Sequence, residues 1–216
     1  MERVLRLYQD VLADGAALTP PAVDTVVYVV HGAARLGETA LAEDTAVHSA
    51  TGLPVTAGPH GAALWRWELA PAGSAPSLGT GPGVASRETL TAALTTLPAG
   101  PLLMRCDSVA FPPGGTALRH VHQGPGIRCL IEGGIRIDTH GRSTSYGPGG
   151  AWFEAGPDAV FAQAALDRPS RFVRVMVLPA ALLGQSSIRY VDEADRAKPK
   201  AQTYRSYADR PFARLS

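Results

Sequence analysis

The sequence predicts an all-β protein built from two consecutive halves. Glycine and proline, 23 and 18 of the 216 residues, interrupt the chain at short intervals and leave only brief apolar runs between them. Short strands separated by frequent turns are typical of β-sandwiches and β-barrels. The order of strands and turns in the second half also repeats that of the first, which indicates an internal duplication.

The duplication can be followed by aligning the two halves. Gly32, which ends an apolar run, aligns with Gly133 at an offset of 101 residues, and segment 65–69 aligns with segment 174–178 at an offset of 109. The offset grows from 101 to 109 residues along the alignment, and we place the inserted residues in loops. We therefore predict that both halves form the same kind of β domain.

A change of composition separates the halves. The run PAGSAPSLGTGPG contains almost only small residues and proline, so it predicts a linker that does not pack. After it, Leu90, Ala93 and Leu94 are spaced as on one face of a helix and Ser86 is a suitable N-cap, so a short linker helix is predicted over Ser86–Leu97. The predicted divisions are a first half over 1–70, a linker with its helix over 71–100, a second half over 101–182 and a C-terminal arm over 183–216.

Charge and composition exclude several classes of function. The formal net charge is +1 and the basic residues are not clustered, so a nucleic-acid-binding surface is not expected. The chain starts without a signal peptide and has no apolar run long enough to cross a bilayer, so a soluble cytoplasmic protein is expected. Its two cysteines, Cys106 and Cys129, agree with a reducing compartment, where a disulfide between them would be unusual.

The segment from Gly114 to Gly133 contains the strongest candidate for a site. His120 and His122 are one residue apart, and in a strand such residues point to the same face. The corresponding positions of the first half hold Pro20 and Ala22. We therefore expect only the second half to keep a site, which would bind a metal ion or a substrate.

The spacing Gly114-x5-His120-x-His122-x3-Gly126-x6-Gly133 resembles the first motif of the cupin superfamily, and segment 149–157 resembles the opening of the second motif. The resemblance implies a bicupin, with two jelly-roll β-barrels or sandwiches in tandem of which the first is degenerate. Many cupins are dimers, so a homodimer is also implied.

The same resemblance implies a metal site with two histidines and a glutamate from the first motif and a histidine from the second. His120 and His122 match, but the glutamate position falls on Gly126 and no histidine occurs after His140. A third ligand would have to come from Glu154, from Gln163 or through a water molecule. Two hypotheses follow: one divalent transition metal (Fe, Mn, Ni or Zn) held by His120, His122 and Glu154, or hydrogen-bonded imidazoles without a metal.

Arg128 is a second candidate, because it shares the strand face of Gly126. A buried arginine needs an anionic partner, and two partners are possible. Arg128 would hold a substrate carboxylate or phosphate, with Trp152 and Gln163 completing the substrate site, or it would form an internal ion pair with Glu132 or Glu154.

The leading functional prediction is a cupin-type small-molecule enzyme acting in the second barrel. His120, His122 and Arg128 would be its catalytic residues, and its ligand would be a small molecule, for which Arg128 suggests a negative charge. The family includes metal-dependent oxidoreductases and dioxygenases, isomerases and cyclases, and the resemblance does not choose among them. The alternative is a non-catalytic binding or sensor protein that has lost the full metal site.

Overall fold

A computed structural model describes residues 2–212. The described chain divides between Thr95 and Thr96 into two compact units, called here the N-terminal and C-terminal units. Both units are built from β-strands, as predicted. No helix in the described part of the chain has the length and apolar character needed to cross a bilayer.

The strands of the N-terminal unit are β1 (Arg3–Leu12), β2 (Ala17–Leu18), β3 (Asp24–Leu36), β4 (Thr39–Ala42), β5 (Ala46–Ser49), β6 (Val55–Pro71) and β7 (Val84–Ala93). Those of the C-terminal unit are β8 (Leu102–Phe111), β9 (Thr116–His122), β10 (Gly126–Glu132), β11 (Ile135–Thr139), β12 (Arg142–Tyr146), β13 (Ala151–Glu154), β14 (Val160–Ala164), β15 (Ser170–Pro179), β16 (Ile188–Tyr190) and β17 (Thr203–Phe212). Two short 3-10 helices, Ala180–Leu182 and Glu193–Ala197, lie on either side of β16.

The N-terminal unit is one seven-stranded sheet, with the order β4-β3-β6-β1-β7 and with β2 and β5 paired to β6 and β3. An aliphatic core on one side of its long strands includes Leu12, Val27, Val29 and Leu64. The alternate residues of β3, such as Val26 and Tyr28, are also buried, so this part of the sheet is covered on both faces.

The C-terminal unit contains two five-stranded sheets, β13-β10-β15-β8-β17 and β12-β11-β14-β9-β16. Its core takes side chains from both sheets, among them Phe111, Trp152 and Phe172 from the first and Ile137 and Val160 from the second. The sheets therefore pack face to face, which is the arrangement of a jelly roll.

The helix predicted over Ser86–Leu97 is wrong. This part of the chain forms β7, which pairs antiparallel with β1, so that Leu7 lies opposite Leu90. The run is rich in threonine, a residue that favours strands. A short apolar pattern fits either structure, and pairing with the exposed edge of β1 decided it.

The run expected to be an unpacked linker connects β6 to β7 within the N-terminal unit. Arg6 donates hydrogen bonds to the carbonyls of Ser74 and Ala75, and Arg66 donates to the hydroxyl and the carbonyl of Ser77. Arg66 is 1% exposed. The segment thus supplies acceptors to buried guanidinium groups, although its composition provides little apolar surface.

The C-terminal arm contributes strands to both sheets of its unit. β16 pairs with β9, placing Ile188 opposite His122, and β17 pairs along the length of β8. The last four residues of the arm, and Met1 of the first half, lie outside the described residues.

Strand pairing follows the same order in the two units. The path β5-β3-β6-β1-β7 has the same connectivity as β13-β10-β15-β8-β17. The β3–β6 pairing is irregular between Val29 and His31, and the β10–β15 pairing between Leu130 and Glu132, again at an offset of 101. When the two units are aligned on these irregular positions, the residues of β6 that pair with β3 align with the residues of β15 that pair with β10.

That superposition corrects the sequence alignment of β6 with β15. Val27 pairs with Arg66 and Arg128 pairs with Arg174, so Arg66 corresponds to Arg174 at an offset of 108 rather than 109. A shift of one residue turns every side chain of a strand to the opposite face. The corrected register places Arg66 and Arg174 on equivalent faces of their sheets.

Replacing Ser77 with alanine tests whether the segment after β6 is held by its polar contacts. The Ser77 hydroxyl lies 2.6 and 2.7 Å from the two carboxylate oxygens of Glu68 and 2.9 Å from Arg66 Nη1. Ser77→Ala should lower the free energy of unfolding by about 1–3 kcal/mol, because it removes hydrogen bonds to buried charged groups. Urea denaturation measures this. Thr80→Ala, in the exposed part of the same segment, is the matched control, and equal stability of the two variants would contradict the assignment.

Candidate functional site

The two histidines predicted from the HxH spacing lie on β9 and point into the core of the C-terminal unit. His120 pairs with Val160 on one side and Tyr190 on the other, and each imidazole is 5% exposed. The two Nε2 atoms are 3.2 Å apart. The alternation of a strand therefore brings both rings to one point.

Hydrogen-bond partners determine which ring nitrogens carry protons. His120 Nδ1 lies 2.7 Å from the carbonyl oxygen of Leu118, an acceptor, so Nδ1 carries the proton and Nε2 of the neutral ring has a lone pair. His122 Nε2 then donates to that lone pair, and His122 Nδ1 accepts from the hydroxyl of Ser187 at 3.2 Å. Neutral rings therefore form a directed chain from Ser187 through His122 to His120.

Burial and nearby positive charge keep both rings neutral. Desolvation lowers the pKa of His120 below its usual value of 6.5. The pKa of His122 lies well below 6.5, first because of desolvation and then because of the charges of Arg128 and Arg174. Both imidazoles can therefore accept and donate protons at neutral pH.

Arg128 forms a buried ion pair with Glu154. Its Nη2 is 2.7 Å from Glu154 Oε2, and its Nη1 donates to the carbonyl of Gly126 at 2.6 Å. Burial lowers the pKa of Arg128 to about 10, with the Glu154 carboxylate acting in the opposite direction, so the guanidinium remains charged at neutral pH. Of the two predicted partners, Glu154 is therefore the one in contact, while Glu132 pairs with Arg171.

Glu154 also contacts the imidazole pair and Trp152. Its Oε2 is 3.4 Å from His122 Nε2, and its Oε1 accepts a hydrogen bond of 2.8 Å from the indole of Trp152. Oε2 has no well-oriented hydrogen-bond donor despite its short distance to Arg128. The contact with Arg128 is thus mainly electrostatic.

These side chains line a small internal cavity. Its free volume is about 20 Å³, enough for one water molecule. Five of the six candidates line it, namely His120, His122, Arg128, Trp152 and Glu154. Gln163 does not, because the neighbouring Ala162 and Ala164 point into the core and the alternation of β14 turns Gln163 away from it.

A second arginine, which was not predicted from the sequence, lies in the cavity wall. Arg174, on β15 directly opposite Arg128, donates to both carboxylate oxygens of Asp107, at 2.6 and 3.1 Å. Burial lowers its pKa, and Asp107 more than offsets this, so the net shift is upward. A charged residue within the apolar run RFVRVMVLP was a signal in the sequence, but its role depends on strand pairing.

The residues present do not fit the metal site that the HxH pair implies. The separations of 3.2 Å between the Nε2 atoms and 3.4 Å to Glu154 Oε2 are close to the edges of a tetrahedral zinc site, about 3.3 Å for bonds of about 2.0–2.1 Å. However, the charge of Arg128 already lies against the same carboxylate oxygen. A divalent ion there would face a buried guanidinium, whose repulsion opposes binding.

Gly126, at the glutamate position of the implied motif, cannot be replaced without rearrangement. A Cβ atom there would lie 2.5 Å from the carbonyl oxygen of Val175 and 2.7 Å from Met176. Among the described residues, no cluster of three or more histidine, cysteine or acidic side chains is arranged to hold a metal. We therefore derive no chemical step through a metal ion.

Comparisons with known proteins agree with this architecture. No protein-family profile matches the chain, and no curated protein is significantly similar to it in sequence. Solved structures are similar. One is the structure of oxalate decarboxylase from Bacillus subtilis at pH 4.6, with a TM-score of 0.62, 14% identity and coverage of 90% of this chain and 72% of that one.

A second is an oxalate decarboxylase structure on substrate binding mode and a switch of reaction specificity, with a TM-score of 0.63, 14% identity and coverage of 90% and 73%. At this identity the likeness shows the fold alone, and the fold does not determine the chemistry of the site.

Stability of the C-terminal unit should decrease as the pH falls from about 7 to 5. An unfolded histidine has a pKa near 6.5 and takes up a proton in this range, whereas buried His120 and His122, with lowered pKa values, take up theirs at lower pH. Their contribution to the free energy of unfolding is complete at a pH above the pKa of the unfolded histidine, and it is lost as the pH falls to the pKa of the folded one. Each unit of difference between the two pKa values contributes about 1.4 kcal/mol. Urea denaturation across this range measures the slope. His122→Gln removes one titrating ring and should make it shallower; an unchanged slope would contradict the burial of a neutral ring.

Removing Arg128 should destabilise the unit more than removing both members of its ion pair. Arg128→Met leaves the Glu154 carboxylate buried without a counter-ion, which costs about 3–5 kcal/mol. In the double variant Arg128→Met, Glu154→Gln, no uncompensated charge remains, so part of this loss should be recovered. Thermal and urea unfolding of the single and double variants test this. If the losses of unfolding free energy caused by Arg128→Met and by Glu154→Gln add up in the double variant, the two residues are not coupled.

Proposed function

We propose that the chain is a bicupin whose C-terminal unit acts on a small carbonyl-containing acid by general acid–base catalysis, while the N-terminal unit is a degenerate copy. The observation that supports this most directly is the pair of buried neutral imidazoles with Nε2 atoms 3.2 Å apart. Beside them lies the guanidinium of Arg128. The shared strand-pairing order of the units supports the duplication.

The proton positions assign a role to each ring. His120 Nε2, with its lone pair, is the base that removes a proton from the carbon next to the carbonyl. The C–H electron pair forms the carbon–carbon double bond of an enolate, and the carbonyl π pair moves onto the oxygen, which accepts a hydrogen bond from His122 Nε2–H. His122 keeps this proton, because its Nδ1 carries none. Return of a proton from His120 to the same carbon completes an exchange with no other reactant. Such positioned acid–base pairs contribute about 10²–10⁴-fold to rate.

Access to the imidazoles would come from a surface cleft of about 250 Å³. The cleft and the internal cavity share Arg174, Ile188 and Tyr204 in their walls. Tyr204 is 44% exposed. Because the cavity holds about one water molecule, a substrate would reach the rings by displacing Ile188 and Tyr204.

The second candidate is a binding or sensor protein without catalysis. It is favoured by the Arg128–Glu154 ion pair, which closes the cavity and satisfies the charge that a substrate carboxylate would otherwise meet. This alternative predicts binding of small acids without proton exchange.

Exchange of carbon-bound hydrogen for deuterium separates the two candidates. The full chain in D₂O is incubated with pyruvate, 2-oxobutyrate or 2-oxoglutarate, and loss of the proton signal beside the carbonyl is followed by NMR. We expect at least one acid to exchange faster than without protein, and His120→Ala and His122→Gln to lower the rate by about 10²-fold or more. His31→Gln, at a side chain 77% exposed in the N-terminal unit, is the control. Binding without exchange would support the sensor.

Metal analysis of the purified chain tests the assumption that the site acts without a metal ion. A stoichiometric divalent transition metal that is lost in both His120→Ala and His122→Gln would overturn the metal-free proposal. It would instead support the His120, His122 and Glu154 ligand set. In that case the Arg128–Glu154 pair has to open when the metal binds.

A further inference from the structure

The surface cleft of the C-terminal unit is a candidate site in its own right. Its lining includes three basic residues, Arg105, Arg174 and Lys200, and two acidic ones, Asp107 and Asp209. Asp107 pairs with Arg174 and Asp209 with Arg105, so Lys200 leaves the lining with an excess of positive charge. No ion pair involves Lys200 among the described residues.

Arg174 presents unused hydrogen-bond donors to this cleft. Its Nε and Nη2 bind the two oxygens of Asp107, and the ring of Tyr204 lies 5.9 Å from the guanidinium carbon. Within residues 2–212, no side chain or carbonyl accepts a hydrogen bond from Nη1. Arg174 lines the cleft, and its Nη1 is not one of the described buried atoms that lack a partner, so solvent in the cleft reaches it. A ligand carboxylate in the cleft would replace that solvent with a charge-assisted hydrogen bond.

The corresponding arginine of the N-terminal unit shows what such an acceptor looks like. Arg66 uses Nε and Nη2 in the same way, at 2.8 and 3.3 Å from the oxygens of Asp10. Its Nη1 is occupied by the Glu68 carboxylate and the Ser77 hydroxyl, and its Nη2 also donates to the Ser77 carbonyl. The chain itself therefore fills this site with a carboxylate and a hydroxyl.

Neither group is present at the equivalent place in the C-terminal unit. At the offset of 108, Glu68 corresponds to Met176, which has no charge. The segment after β15 is held by Arg105, whose guanidinium donates to the carbonyls of Leu182 and Gln185 at 2.6 and 2.7 Å. Of its two serines, Ser187 contacts His122, and Ser186 accepts from the backbone N–H of Ile188. The result is an open cleft beside a guanidinium that lacks both partners.

We infer that this cleft binds a small hydroxycarboxylate. The ligand carboxylate takes the place that Glu68 has beside Arg66, accepts from Arg174 Nη1 and is attracted by Lys200. Its hydroxyl takes the place of Ser77, with the hydroxyl of Ser186 within the same lining. The volume of about 250 Å³ suits a compound of a few carbon atoms. This site does not depend on proton transfer by the imidazoles.

Calorimetric titration of the full chain with malate, and with succinate as the analogue that lacks the hydroxyl, tests the inference. Malate should bind more tightly than succinate. Lys200→Ala should weaken malate binding by about tenfold, which corresponds to the loss of one favourable charge interaction. Lys198→Ala is the matched control, because Lys198 is a nearby lysine that pairs with Asp195 and does not line the cleft.

Two further variants guard against effects on folding. Arg174→Lys keeps a positive charge beside Asp107 but removes the forked donor, and Ser186→Trp fills the cleft from an exposed position. Both should abolish malate binding while the unfolding temperature shows that the unit is folded. His120→Ala should leave binding unchanged, which separates this site from the proposed acid–base chemistry. Absence of malate binding to the unmodified chain, or equal weakening by Lys198→Ala and Lys200→Ala, would overturn the inference.

Discussion

The structure depends on neutralising guanidinium groups that are removed from water. Arg66, Arg128 and Arg174 are each no more than 5% exposed. Each lies against a carboxylate from a neighbouring strand, respectively that of Asp10, Glu154 and Asp107. Because a buried cation is strongly unfavourable without an anion, the pairing register of the strands has to hold these partners together.

In the C-terminal unit this requirement also sets the chemistry of the imidazoles. The charges of Arg128 and Arg174 favour neutral His122, and the contact of Arg128 with Glu154 occupies the carboxylate oxygen nearest to the ring. The guanidinium of Arg128 thus lies against the carboxylate that a metal site of His120, His122 and Glu154 would need. The proposed proton transfer would use the same strand positions without a metal.

Comparison of the two units shows how one structural position can serve different purposes. Arg66 and Arg174 bind their aspartates through the same two nitrogens. The chain after β6 returns to saturate Arg66 through Ser77, whereas the chain after β15 forms an additional strand and leaves Arg174 at an open cleft. A polar segment with little apolar surface can therefore be structural in one unit, while its counterpart leaves room for a ligand in the other.

The sequence by itself determined the all-β class, the orientation of His120 and His122 toward one point and the burial of Arg128, because strand alternation is a local property. It also indicated a matching order of strands in the two halves. Only the tertiary structure decided that residues 86–93 are a strand, that Gln163 faces away from the cavity and that Arg128 binds Glu154. It also revealed Arg174 and its unfilled donors. Those features depend on which strands pair and in which register, and contacts between residues far apart in the chain leave no periodic signal in it.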